Sequence, residues 1–216
     1  ANPNCTTMDL MMAAGPLHRA AGLRSIVATS YQSVSGSGMT GVVELLRQID
    51  ALRPDPDALR EGGFEDPGSD VYVAPIAFNV IPYAGSEKEL GYTDEEWKLV
   101  YETRKILDAP GIQVEPTCVR VPVITGHGIA ATMWFDRDLD LVEARELLDA
   151  APGVEVWTED IPTPLDSAGI DNVLVGRLRN TVGLPGGINL WVVGDNLRKG
   201  AALNAVQLAE LVAGEL

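Results

Sequence analysis

The stretch IQVEPTCVRVPVITGHGIAATMWF, residues 112–135, decides the fold class. It contains two strand-like runs, 112–124 and 128–135, joined only by Thr125-Gly126-His127. Both are rich in β-branched and apolar residues, which suit a pleated, half-buried surface. Further strand patterns lie at 24–34, 153–157, 172–179 and 187–194. Runs of strands, rather than a strict strand–helix alternation, predict an α+β fold: a mixed, largely antiparallel sheet covered by helices.

Helical spacing surrounds these strands. Residues 6–21 have apolar positions at helical intervals, with Pro16 expected to bend or end the helix. A glycine-rich turn at 35–41 opens a helix with the stripe Val42, Val43, Leu45, Leu46 and Ile49. Residues 53–70, rich in Pro, Gly and acid, read as a solvated loop. Thr93 and Glu96 form a capping-box pattern for a helix to about Leu107. An amphipathic helix follows at 138–151. A last one runs from about Asp195 to Glu215, with Leu197, Ala201, Leu208, Leu211 and Val212 on its apolar side.

The 216 residues suit one large domain or two small ones, and the net charge of -15 disfavours nucleic acid and anionic membrane as partners. Two cysteines are too few for a disulfide scaffold and lack zinc-site spacing, so no metal is expected. With no signal peptide pattern and no long apolar span, a cytoplasmic setting is the default expectation. No glycine fingerprint of dinucleotide binding follows a first strand, and no Walker-type loop is present.

Cys5 leads directly into the first helical pattern, where unpaired backbone N–H groups and the helix dipole favour a thiolate. The bland alternative is a buried, inert cysteine, and Cys118, inside an apolar strand, fits it. His127, between two glycines at a strand junction, is a candidate acid/base, or else a solvated turn histidine. His18 reads as a surface residue. Arg120 lies on the strand leading to His127, but spacing alone does not show that they converge. Glu95 and Lys98 share a helix face, as an ordinary surface ion pair or as ligand-binding charges. Ser35-Gly36-Ser37-Gly38 could cradle a phosphate, but a lone glycine pattern is weak and an ordinary loop is the better reading.

Together, ANPNCTT (1–7), SYQSVSGSGMTG (30–41), EEWKLVYETRKIL (95–107), RVPVITGHG (120–128) and VGDNLRKGAALNAVQLAE (193–210) resemble the catalytic half of aspartate-β-semialdehyde dehydrogenases. The resemblance implies a catalytic and dimerisation domain over 1–216, similar to that of glyceraldehyde-3-phosphate-dehydrogenase-like enzymes. It implies Cys5 as nucleophile, His127 as acid/base and Gln32 as a positioner of the acyl intermediate. Arg120 would clamp the substrate carboxylate, Glu95 would face its ammonium, Lys98 would help bind phosphate, and Asn4 would line the substrate site. Ser35, Gly36 and Asn196 would meet the nicotinamide end of NADP.

The implied reaction interconverts β-aspartyl phosphate and aspartate semialdehyde through a cysteine thioester, in the biosynthesis of lysine, threonine and methionine. The resemblance also implies a homodimer. The family's cofactor domain should lie upstream, so the chain reads as a fragment whose last helix would pack toward that domain, inactive by itself. The alternatives are a related N-acetyl-glutamyl-phosphate reductase, a non-catalytic self-associating domain, and a Cys–His hydrolase.

Overall fold

In the computed structural model, which describes residues 1–214, six strands form one mixed sheet. They are β1 (Leu23–Gln32), β2 (Gln113–Arg120), β3 (His127–Phe135), β4 (Val154–Trp157), β5 (Val173–Asn180) and β6 (Gly187–Gly194). Their order across the sheet is β2-β1-β3-β6-β5-β4. The three inner pairings are antiparallel, and the outer pairs β1–β2 and β4–β5 are parallel. The α+β expectation holds. The runs at 112–124 and 128–135 are consecutive in sequence, but β1 stands between them in the sheet.

The helices are α1 (Cys5–Ala21), α2 (Gly38–Leu52), α3 (Pro56–Glu61), α4 (Asp94–Ile106), α5 (Leu141–Asp149), α6 (Pro164–Ser167) and α7 (Leu203–Gly214). α1, α4 and α5 cover one face of the sheet, whereas the segment leading into α6 lies over β5 and β6 on the other, where Pro162 O accepts Trp191 Nε1–H. Along β1, Ile26, Ala28, Ser30 and Gln32 are buried, while Val27 on the other face is exposed. Leu10, Ala14 and Leu17 of α1 pack with Leu99 of α4 and Leu148 of α5 against Ile26, Ile129, Met133 and Val192. At ~25 cal/mol per Å² of apolar surface, this layer is the main source of stability.

A second, smaller core joins α2 to residues 76–81, a stretch for which the sequence suggested no element. Val34, Leu45, Leu52, Ile76, Ala77 and Ile81 are buried together. Polar side chains of α2 hold the 68–77 segment onto it. Glu44 Oε2 accepts the N–H groups of Asp70 and Val71, and Gln48 Oε1 accepts those of Ile76 and Ala77. Ile81 then exchanges backbone hydrogen bonds with Arg120, so the excursion ends against β2.

Several local expectations need correction. Pro16 lies inside α1 without ending it, because the helix is buried along most of its length and packing outweighs the lost hydrogen bond. The strand begun at 112 ends at Arg120, and residues 121–124 instead bond to 32–35, with Val121 N donating to Gln32 O and Val34 N to Val123 O. The 53–70 stretch contains α3, capped by Asp55 through Ala58 N. On α2, Leu45 is buried, whereas Val43 and Leu46 face outward. The last helix is not continuous from Asp195. Arg198–Ala202 forms a π-helical turn before α7, and Leu197, Leu208, Leu211 and Val212 are exposed. Glu215 lies outside the described residues. His18 is half-buried and accepts Leu23 N–H at Nδ1, tying the end of α1 to β1. Among the described residues, no helix is long and apolar enough to cross a membrane.

Candidate active site

The sheet register assembles the site. Gln32 pairs with Arg120 across β1 and β2, Tyr31 pairs with Gly128 across β1 and β3, and His127 pairs with Gly194 across β3 and β6. Arg120, Gln32, His127 and Gly194 therefore form a row at one end of the sheet. The first turn of α1 lies over this row. Asn4 is its N-cap, its Oδ1 accepting from Thr6 N at 3.0 Å and Thr7 N at 3.4 Å. Such a cap contributes about 1 kcal/mol and fixes where the helix starts. Cys5 is the first helical residue, and its Sγ lies 3.2 Å from His127 Nε2.

His127 is fully buried, so it is not a solvated turn residue. Its Nδ1 accepts the Ser33 backbone N–H at 3.1 Å. A backbone N–H can only donate, so in neutral imidazole the proton sits on Nε2, facing the sulfur. Burial, together with nearby Arg120, pushes His127 down to about 3. The imidazole is thus neutral at neutral pH and is a hydrogen-bond donor toward Sγ.

Burial, reinforced by Glu95 and Asp9, pushes the Cys5 thiol up to about 11, against the opposing pull of Thr6 N–H and Arg120. The helix N-terminus expected to favour a thiolate is present, but desolvation outweighs it. The resting pair is neutral thiol and neutral imidazole. Cys118 is buried and pushed up to about 12, chiefly by burial, as its strand position implied.

A hydrogen-bond chain joins α4 to the cap. Glu95 Oε2 accepts from Asn4 Nδ2 at 2.9 Å, and Glu95 Oε1 accepts from Lys98 Nζ at 2.9 Å. Lys98 also pairs with Asp94 at 3.0 Å. The Glu95 side chain is only 11% exposed, so this is more than a loose surface pair. Gln32 is buried, with its Nε2 on Ser30 Oγ and its Oε1 without a protein partner.

Asn196 is buried and braces three segments. Its Oδ1 accepts from Gly126 N, Ser33 Oγ and Ser35 Oγ, and its Nδ2 donates to Ser35 Oγ. A Cβ on Gly36 would lie 2.9 Å from Arg120 Nη1 and 3.4 Å from His127 Cε1, so only glycine keeps this approach to both side chains open. The structure therefore gathers Asn4, Cys5, Gln32, Ser35, Gly36, Glu95, Arg120, His127 and Asn196 at one end of the sheet, with Lys98 attached through Glu95.

Four contributors escaped the sequence reading. Ser33 sets the His127 tautomer, although it lies inside the quoted SYQS motif. Glu102 Oε2 accepts Asn4 N–H at 2.9 Å, and nothing local in the sequence marks it. Gly200 of the π-helical turn lies over the nucleophile, where a Cβ would approach Cys5 Cβ to 2.9 Å. Asp9 is fully buried with both carboxyl oxygens unpartnered. Burial, with Asp195 adding to it, raises its pKa well above the usual carboxylate range.

The semialdehyde dehydrogenase dimerisation-domain model matches residues 15–199. The chain belongs to that family. It is 53% identical to an aspartate-semialdehyde dehydrogenase of Streptomyces akiyoshiensis and 49% identical to one of Mycolicibacterium smegmatis. Each match covers 100% of this chain and 64% of the relative. The chain thus spans less than two thirds of the length of these family members. The fold is similar to a solved aspartate semialdehyde dehydrogenase II from Vibrio cholerae complexed with ASA, with a TM-score of 0.90 and 43% identity. That likeness covers 99% of this chain and 61% of the solved one. Cys5 precedes the family-model match and falls within the full-chain matches.

Proposed function

We propose that this chain supplies the nucleophile and substrate site of an aspartate-semialdehyde dehydrogenase, interconverting aspartate β-semialdehyde and β-aspartyl phosphate in the biosynthesis of lysine, threonine and methionine. The observation that carries this is the 3.2 Å contact between Cys5 Sγ and His127 Nε2 at a helix N-terminus, with Glu95 bonded to the Asn4 cap and Arg120 meeting His127 at Gly36. Opposite charges on either side of a nucleophile suit a short substrate bearing a carboxylate and an ammonium.

As the sulfur attacks the aldehyde carbon, the C=O electron pair moves to oxygen and the thiol proton leaves to solvent. The His127 Nε2–H donates to that developing negative oxygen. After two-electron oxidation, a phosphate oxygen attacks the thioester carbonyl and the C–S bond breaks, returning the Cys5 thiolate. Arg120 holds the α-carboxylate, Glu95 the ammonium and Asn4 the cap, while Gln32 orients the acyl group and Lys98 attracts phosphate.

NADP, when bound, supplies the two-electron acceptor. Gly36 fits its nicotinamide end, because its side-chain-free face lies beside His127. Ser35 and Asn196 brace that loop. No dinucleotide fingerprint is present in the 216 residues, so this chain alone is proposed to be inactive as a dehydrogenase. The exposed Leu211 and Val212 of α7 are proposed to pack toward the cofactor domain. The sheet face opposite α1, with exposed Val27 and the Tyr31–Trp191 ring pair, is proposed as the homodimer face.

The test is alkylation by iodoacetamide. Cys5 should react and Cys118 should not. With the thiol near 11, the thiolate fraction and the rate should rise roughly tenfold per pH unit from 7 to 10. L-aspartate β-semialdehyde should slow the reaction. Equal labelling of both cysteines, or no protection by the semialdehyde, would overturn the reading.

A further inference from the structure

A cavity of about 150 Å³ lies on one side of Arg120, lined by Ser37, Tyr72, Tyr83 and Gly85. A space of this size suits a small polar group such as a carboxylate rather than a large ligand. Arg120 itself is buried, and its Nη1 donates to Ser33 O at 3.3 Å. That single bond leaves most of its five N–H donors for a ligand. The same guanidinium lies against Gly36, which also meets the His127 ring, so the cavity is one side chain away from the Cys5–His127 pair.

Three features make its wall rigid. Tyr72 Oη donates to Val34 O at 3.3 Å, and both tyrosine rings pack on the second core. Glu44 and Gln48 fix the backbone on either side of Tyr72. The Ile81–Arg120 bridge fixes the approach to Tyr83. At the other end, Gly85 leaves no room for a side chain, because a Cβ there would overlap Asp94 Oδ1 and stand 3.0 Å from Glu95 Cγ. The wall thus runs from the carboxylate-binding cation to the ammonium-binding anion.

We infer that Tyr72 and Tyr83 close the Arg120 cavity into a specificity wall, which admits a short carboxylate with a free ammonium and rejects its N-acylated counterpart. This rests on the proposed substrate site and adds what selects the substrate. An acyl group on the nitrogen would remove the charge Glu95 needs and add atoms where the tyrosines stand. No local pattern marks this wall, because residues 72–85 lie far from Arg120 along the chain.

The test uses non-reacting probes, L-aspartate and N-acetyl-L-aspartate, as protectants of Cys5 against iodoacetamide in the whole chain. Wild type should be protected by L-aspartate at concentrations at least tenfold lower than by N-acetyl-L-aspartate. Tyr83→Ala should shrink that ratio to within about twofold. Tyr72→Phe keeps the ring and its packing but frees it from Val34, and should shrink the ratio partway. Unreactive Cys118 reports that each variant remains folded. A ratio unchanged in both variants, or equal protection by the two probes in wild type, would overturn the wall, as would no protection by either. If aspartate protects and the semialdehyde does not, the wall stands and the aldehyde chemistry falls.

Discussion

Two buried ionisable residues beside the sulfur pull stability in opposite directions with pH. Asp9 has a raised pKa, caused first by burial. The folded state holds its proton when the unfolded chain has released it. Its favourable contribution is therefore complete below the unfolded carboxylate value and is lost as pH rises toward the folded one. His127 is depressed to about 3 by burial, so its contribution is complete above the unfolded histidine value and is lost as pH falls from about 6.5 to 3. As pH rises from about 4, the Asp9 slope therefore opposes the His127 slope, each at most about 1.4 kcal/mol per pH unit. Asp9→Asn keeps the shape and removes one slope. Urea denaturation should show it to be more stable than wild type at pH 7.5, with the gain vanishing near pH 4. An equal gain at both pH values would mean that Asp9 is not held protonated.

At the scale of elements, α4 illustrates how one local motif has a long-range consequence. Thr93 and Glu96 make both bonds of the capping box, with Thr93 N on Glu96 Oε2 at 2.8 Å. The other oxygen, Glu96 Oε1, accepts Cys118 N–H at 2.9 Å. The cap therefore also satisfies a buried backbone donor on β2, two residues before Arg120. Glu96→Ala should cost about 2–4 kcal/mol, the sum of a cap and an orphaned buried N–H. Glu96→Gln should recover part of this, because an amide oxygen still accepts. Thermal unfolding of the two variants checks it, and a loss under 1 kcal/mol in Glu96→Ala would contradict the double role.

For the molecule as a whole, one face of the sheet carries α1, α4 and α5, and the β1 side of the other face is left exposed. Tyr31 and Trp191 form a ring pair with centroids 5.6 Å apart on that second face, and Val27 is 46% exposed there. Because an isologous interface repeats each contact, Val27→Asp places two charges in it and should shift a dimer toward monomer by sedimentation velocity. A monomeric wild type would remove the premise.

The sequence by itself determined the order of the six strands and the longer helices, the α4 cap, the placing of Cys5 near the start of α1 and the motifs of the family. These depend on periodicity, capping residues and short contiguous patterns, all local along the chain. Tertiary structure alone decided that β1 lies between β2 and β3, which brings Gln32 opposite Arg120 and the imidazole of His127 under Cys5. It also decided that burial outweighs the helix N-terminus at the thiol, that Ser33 fixes the imidazole proton, and that residues 72–85 wall in Arg120. Register, desolvation and the partner of each buried polar atom arise between segments far apart in sequence, so no local pattern encodes them.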